Sequence, residues 1–256
     1  MKVRNKITNT YPSVFHLSGC KKWNRLGYTI WEHLCSENKT ENDQMEKLRS
    51  DTCLIFPHYG YTDAPMVEKS LLKFGVSNTN IAELYMKGDT DLMSFFSNRH
   101  KMTKDYIEKN NFKYIIGQDA GDIFFLNHPN LVVEIFENEF DCDMLLNGEV
   151  ELHPHPRFVG HLYEELKKNK KYTDDNCAFK YLNAGLFIAK VEFYLEVYKK
   201  FASFPHDVPG EDQGIFQILY SEYFPRIQVD SECKIFQNTA FRKRFRGKDN
   251  DILEIE

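Results

Sequence analysis

Tyr114-Ile-Ile-Gly-Gln-Asp119-Ala-Gly-Asp122-Ile-Phe-Phe-Leu126 sets two apolar runs on either side of a short acidic turn. A brief apolar run that stops at turn residues is the pattern of a buried strand, so Tyr114–Gln118 and Ile123–Leu126 read as strands. Asp119 and Asp122 then lie at a strand mouth, separated by an alanine and a glycine. Desolvating two carboxylates there is costly without a counter-charge. Two converging carboxylates suit a hard divalent cation, which takes oxygen ligands and keeps room for phosphate. An Asp-x-x-Asp turn alone is ordinary turn chemistry; the apolar flanks are what give this one direction.

Outward from this stretch the chain alternates. Cys53–Phe56, Met144–Leu146 and Leu186–Ile188 read as further strands. A helical stripe of Val67, Leu71, Leu72 and Phe74 ends at Gly75, and further helices are expected over 97–110, 159–168, 191–201 and 213–220. This alternation predicts an α/β fold, with an open, mixed but mostly parallel central sheet covered on both faces. In such sheets ligands bind beyond the carboxyl ends of the strands, which makes residues just after each apolar run the ones that matter. No internal repeat is visible, and only 36–50 lacks a periodic apolar face, reading as a linker.

Composition bounds the function. With 256 residues, 42% of them hydrophobic, the chain can bury a large core, and disorder is excluded. Lys and Arg number 33 against 38 Asp and Glu, so no global field marks a nucleic-acid binder. The basic run Arg242-Lys-Arg-Phe-Arg246-Gly-Lys248 reads as a solvated loop. No stretch approaches the roughly 20 apolar residues of a membrane span, and the first residues lack the apolar core of a signal peptide. The expectation is a soluble, unexported chain, cytoplasmic or unassigned. Six cysteines without Cys-x-x-Cys spacing read as free thiols.

Two more constellations carry chemistry. In Pro12-Ser-Val-Phe-His16-Leu-Ser-Gly19-Cys-Lys-Lys22, Val14-Phe15 is a short strand with His16 at its mouth. Gly19 permits close backbone approach and Lys22 offers a compact charge for phosphate. Asn183-Ala-Gly185 and Asp212-Gln213-Gly214 set amides and a carboxylate beside glycines, a pairing suited to sugar hydroxyls; for Asp212 a helix N-cap is the simpler role.

Together these motifs resemble those of nucleotide-sugar-dependent glycosyltransferases of the GT-A fold, specifically the glycosyltransferase domain of collagen lysyl hydroxylases, with glycogenin more distant. Gln118-Asp-Ala-Gly-Asp-Ile123 is similar to the family's metal motif, Asn183-Ala-Gly185 to its sugar-contacting loop, Asp212-Gln213 to its donor-sugar loop, and Ile235-Phe-Gln-Asn238 to a stretch of the lysyl hydroxylase branch. His16, Gly19 and Lys22 match its metal-histidine and diphosphate-lysine motif. The resemblance implies Mn²⁺ held by Asp119, Asp122 and His16, and a UDP-glucose or UDP-galactose donor oriented by Asn183, Asp212 and Gln213. It implies Glu149, in Asn147-Gly148-Glu149, on the acceptor side. Uracil is expected against Phe56, Tyr59 and Tyr61, with Lys101 near the nucleotide. The implied acceptor is galactosyl-hydroxylysine of a collagen-like protein, and the implied stereochemistry is retention, with Glu149 or Asp212 as the base if transfer inverts. A homodimer stays open. A non-catalytic module that binds nucleotide-sugar or collagen is the alternative, and a phosphohydrolase a third.

The order of motifs departs from the family, where the histidine motif comes last. Joining 251–256 to 2–7 restores the family's order, so the chain reads as a circular permutant: a single domain over 1–256, with 1–24 a displaced histidine segment, 25–51 a connecting linker and 52–256 the nucleotide and acceptor regions. An antiparallel pairing of the two ends, with Glu254 or Glu256 facing Lys2, Arg4 or Lys6, is the structural consequence.

Overall fold

A computed structural model describes residues 2–17, 25–36, 46–59, 66–76, 81–86, 92–169, 177–205, 211–239 and 252–255. In chain order its elements are β1 (Val3–Asn5), β2 (Val14–His16), α1 (Arg25–Ser36), β3 (Thr52–Tyr59), α2 (Met66–Lys73), β4 (Ile81–Met86), α3 (Leu92–Ile107), β5 (Tyr114–Gln118), β6 (Ile123–Phe125), α4 (Pro129–Glu139), β7 (Met144–Glu149), α5 (Pro156–Lys168), β8 (Tyr181–Lys190), α6 (Val191–Phe201), α7 (Glu211–Tyr223), β9 (Ile227–Asp230), β10 (Phe236–Asn238) and β11 (Leu253–Ile255).

The central sheet has six strands in the order β4-β3-β5-β8-β7-β9. Strand β8 runs antiparallel to both its neighbours, and the remaining pairings are parallel. The α/β class and the mixed, mostly parallel sheet expected from sequence are therefore present, in a Rossmann-like arrangement.

Both faces of the sheet are apolar, and the two-residue period of a strand divides its side chains between them. Cys53, Ile55, Ile115, Met144, Leu146, Phe187 and Ala189 pack with α3, α5, α6 and α7. The intervening Leu54, Phe56, Tyr114, Ile116, Leu145, Leu186 and Ile188 pack with α2 and α4. This double burial explains why β3, β5 and β7 appear in sequence as continuous apolar runs rather than alternating ones.

A second, three-stranded sheet, β10-β2-β6, lies over the carboxyl-end turn of β5. Its register sets His16 opposite Ile123, immediately after Asp122, and Leu17 N–H donates to the Asp122 carbonyl at 2.8 Å. Asp230 steers the chain into this sheet. Its buried carboxylate accepts from the backbone N–H groups of Lys234, Ile235 and Phe236 at 2.8–2.9 Å, and burial pushes its pKa up to about 6.

The expected pairing of the chain ends is present. β1 and β11 are antiparallel, Arg4 opposite Glu254, with the two side chains 3.9 Å apart. The expected linker over 25–51 is corrected in its first part: α1 buries Ile30 and Leu34 against Phe15, Leu17 and Phe124. Those residues recur at helical spacing, which a reading as tether passes over. In α2 the buried residues are Val67, Ser70 and Leu71, while Leu72 is exposed. Among the described residues no helix is long and apolar enough to cross a membrane, and the cysteines Cys35, Cys53, Cys142, Cys177 and Cys233 are free. The basic run 242–248 lies outside the described residues.

Candidate active site

Two chain segments far apart in sequence meet at the carboxyl end of β5. His16 ends β2, while Asp119 and Asp122 form the turn between β5 and β6. His16 Nε2 lies 3.3 Å from Asp119 Oδ2 and 3.6 Å from Asp122 Oδ1. The imidazole is buried and the two carboxylates are about one-quarter exposed, so the cluster reaches solvent through its carboxylates. Burial alone would lower the His16 pKa, but the charges of Asp122 and Asp119 outweigh it and raise the value above 6.5. Burial alone would raise Asp119; the neighbouring Arg99 charge and His16 outweigh that and hold its carboxyl below the usual range.

A local irregularity makes room for this meeting. Between Leu146 and Asn147 the β7–β8 register shifts: Leu146 pairs with Phe187, and Asn147 with Asn183. The β8 segment Ala184-Gly185-Leu186 bulges there, so Asn183-Ala-Gly185, expected as a loop, is the irregular middle of a strand. Gly185 gives its carbonyl to Asp119 N–H at 3.0 Å. A side chain on Gly185 would collide with the His16 ring and the Asp119 carboxylate. The glycine thus keeps open the space in which imidazole and carboxylate face each other.

Beside the cluster, three of the residues singled out in sequence are joined. Glu149 Oε2 accepts from Asn183 Nδ2 at 3.1 Å, and its Oε1 accepts from Gln213 Nε2 at 2.7 Å. Gln213 Oε1 in turn accepts from Ala184 N–H at 3.2 Å. Asp212, one residue earlier, turns the other way. Arg99 Nε donates to its Oδ2 at 2.7 Å, and His100 Nε2 lies 3.1 Å from the same oxygen. Its Oδ1 accepts from Gln213 N–H at 2.8 Å, so Asp212 is held by α3 and by its own helix together.

Arg99 and His100, on α3, are what sequence reasoning missed. The Arg99 guanidinium is buried and bridges Asp119 Oδ1 and Asp212, which leaves Asp119 Oδ2 turned to His16. His100 is buried behind Asp212, its Nδ1 3.0 Å from the Tyr194 hydroxyl, and burial pulls its pKa down despite Asp212. One signal for them was available: His100, Thr103 and Ile107 follow helical spacing on a buried face, and a polar group there needs a partner.

The remaining expectations divide. Lys101 is turned outward, 61% exposed, and pairs with Asp105 at 2.6 Å; the basic residue that α3 brings to the site is Arg99. Phe56 is enclosed in the core beneath α2 and offers no ring face for a base, because its position in β3 alternates inward. Tyr59 closes β3. Tyr61, Gly19 and Lys22 lie outside the described residues.

Chemically, this mouth holds more negative than positive charge. Among the described residues that line it are four carboxylates, of Asp119, Asp122, Glu149 and Asp212, against the one guanidinium of Arg99. The ligand atoms of His16, Asp119 and Asp122 all lie within 4.8 Å of one another. An imidazole and two carboxylates so placed, around a space that Gly185 leaves clear, fit a divalent cation of the Mn²⁺ or Mg²⁺ kind.

No protein-family description and no curated protein matches the chain. Among solved structures it is similar to a glycosyltransferase involved in the glycosylation of the major capsid of PBCV-1, with a TM-score of 0.44 and 12% identity over 79% of this chain and 91% of that one. It is also similar to mouse xyloside xylosyltransferase 1 in its apo form, with a TM-score of 0.34 and 12% identity over 59% of this chain and 62% of the other.

Proposed function

We propose that the protein is a Mn²⁺-dependent glycosyltransferase that moves glucose or galactose from a UDP-sugar to a hydroxyl acceptor with retention, and that galactosyl-hydroxylysine of a collagen-like protein is the acceptor. The observation that carries this reading is the convergence of His16, Asp119 and Asp122 at the sheet's carboxyl end, beside the joined Glu149, Asn183 and Gln213. A divalent cation supplies Lewis-acid charge to a departing diphosphate. His16, Asp119 and Asp122 would hold it. Lys22 adds a second positive charge at the diphosphate in this reading, with Gly19 allowing close backbone approach.

Glu149, Asn183 and Gln213 offer one carboxylate and two amides in a fixed arrangement, enough to orient sugar hydroxyls without placing a further cation near the anomeric carbon. Asp212 has a different task. With Arg99 and His100 on one oxygen and a backbone N–H on the other, its carboxylate is committed to holding α3 against α7 and is poorly placed to take the acceptor's proton. That engagement favours retention over inversion by an Asp212 base. The permuted order belongs to the same proposal and is supported by the antiparallel pairing of β1 with β11.

A screen of UDP-sugars by UDP release, with and without collagen-type glycosylated hydroxylysine peptides, tests the reading. Release that requires Mn²⁺ and is abolished by EDTA and by Asp119→Ala is the expected result, and NMR of the trapped product fixes the anomer. Binding of UDP-sugar without release under any acceptor identifies a non-catalytic module instead.

A further inference from the structure

We propose that Asn147 is the positioning residue that fixes the imidazole of His16 for the cation, by accepting the ring's Nδ1–H through its side-chain carbonyl. This rests on the proposed cation site and adds to it a residue that touches neither cation nor substrate. Asn147 is fully buried at the register shift of β7, and its side chain lies directly behind His16, with Nδ2 3.2 Å from His16 Nδ1. Its Oδ1 is also buried and has no hydrogen-bond partner. A buried amide carbonyl without a donor is costly to leave, and here a ring nitrogen able to carry a proton lies beside the amide.

The two facts have one resolution. Rotating the amide by half a turn places Oδ1 against Nδ1, where it accepts the ring N–H; the bond between Nδ2 and Nδ1 is given up, and Nδ2 takes the place that Oδ1 held. With the proton fixed on Nδ1, the lone pair of Nε2 points at the space shared with Asp119 and Asp122. The other orientation puts the proton on Nε2, where it blocks ligation. A neutral amide also orients the ring without adding a further carboxylate to a mouth already rich in them.

Mn²⁺ titrations of the nucleotide-free protein, followed by the electron paramagnetic resonance of free Mn²⁺, test this with Asn147→Leu and Asn147→Asp. The expected result is about a 10- to 100-fold loss of affinity in Asn147→Leu, and affinity at or above wild type in Asn147→Asp, which keeps the acceptor. Asn147→Leu that binds within twofold of wild type overturns the role of Asn147 and leaves the cation site standing; wild type that binds no Mn²⁺ overturns both. A measurement on the wild-type protein covers the case in which Asn147→Leu does not fold. With diamagnetic Zn²⁺ bound, ¹⁵N spectra should show the His16 resonances, assigned by their absence in His16→Gln, with Nδ1 protonated and Nε2 ligating. The reverse assignment overturns the proposal.

Discussion

The two ends of strand β5 carry charge in opposite ways. At its start, four cations meet four carboxylates: Arg49 with Asp51 and Glu137, Lys113 with Glu137, and Lys190 and Arg226 with Asp143 and Glu196. All of these groups are partly exposed, and Tyr114 adds a hydroxyl to Glu137 at 2.6 Å. At the other end Arg99 is the one described guanidinium among four carboxylates, and it is buried. Exposed, balanced pairs contribute little each, whereas a buried, unbalanced group is costly unless each member keeps its partner. The start of the sheet is thus built to tolerate change, and the mouth gathers its carboxylates around one buried guanidinium.

Removing one arginine from each end puts the contrast to its hardest test. Arg99→Leu strands Asp119 and Asp212 without their shared counter-charge and should destabilise the protein by about 3–5 kcal/mol in urea denaturation. Arg226→Leu should cost no more than about 1 kcal/mol. Equal costs would break the comparison. Adding Mn²⁺ should stabilise both variants, since a ligand that binds only the folded state stabilises it, and Arg99→Leu by more than Arg226→Leu, because a cation also replaces part of the counter-charge that Asp119 has lost.

Gly185→Ala sharpens the contrast at the mouth. The new methyl group falls on the His16 ring and the Asp119 carboxylate, so Mn²⁺ affinity measured by calorimetry should fall more than about tenfold, with a stability loss of about 1–3 kcal/mol. Unchanged affinity would mean that the space between imidazole and carboxylate is not where the cation sits.

The smallest effect is expected at the start of the strand and is read through pH. Arg49 foremost, then Tyr114, lowers the Glu137 pKa from 4.5 to about 2. A carboxyl depressed in the folded state contributes stability that is complete above its unfolded value, here about 4.3, and fades as pH falls toward 2. Because the group is about one-third exposed, solvent screening reduces this to roughly 1 kcal/mol. Glu137→Gln should therefore lose that amount at pH 7 and show a flatter decline between pH 4.3 and 2. An acid limb of unchanged slope would place the acid sensitivity elsewhere.

Legibility from sequence followed burial symmetry. Strands β3, β5 and β7 are buried on both faces and announce themselves as apolar runs, and α6 was placed to the residue. Strand β4 passed unnoticed because Ile-Ala-Glu-Leu-Tyr-Met has helix-forming residues and a charge within six positions. Helix α4 is not among the helices expected from sequence, although Pro129 stands at its start and Val132, Val133 and Phe136 share its buried face. Short strands β9 and β10 depend on Asp230 and on pairing with β7 and β2, which no local pattern encodes.

By itself the sequence determined the α/β class, the acidic turn of Asp119 and Asp122, the relation of His16 to it and the pairing of the chain's two ends. The first two are written in contiguous residues, as hydrophobic period and turn chemistry; the last two follow from the family resemblance and its motif order. Only the tertiary structure decided that Arg99 and not Lys101 faces the site, that Phe56 is core, and that Asn147 stands behind His16. Those outcomes turn on which way a side chain points once helices and strands have packed. Two positions along α3 separate the buried arginine from the solvated lysine, and only the packed neighbours fix which of them faces the site.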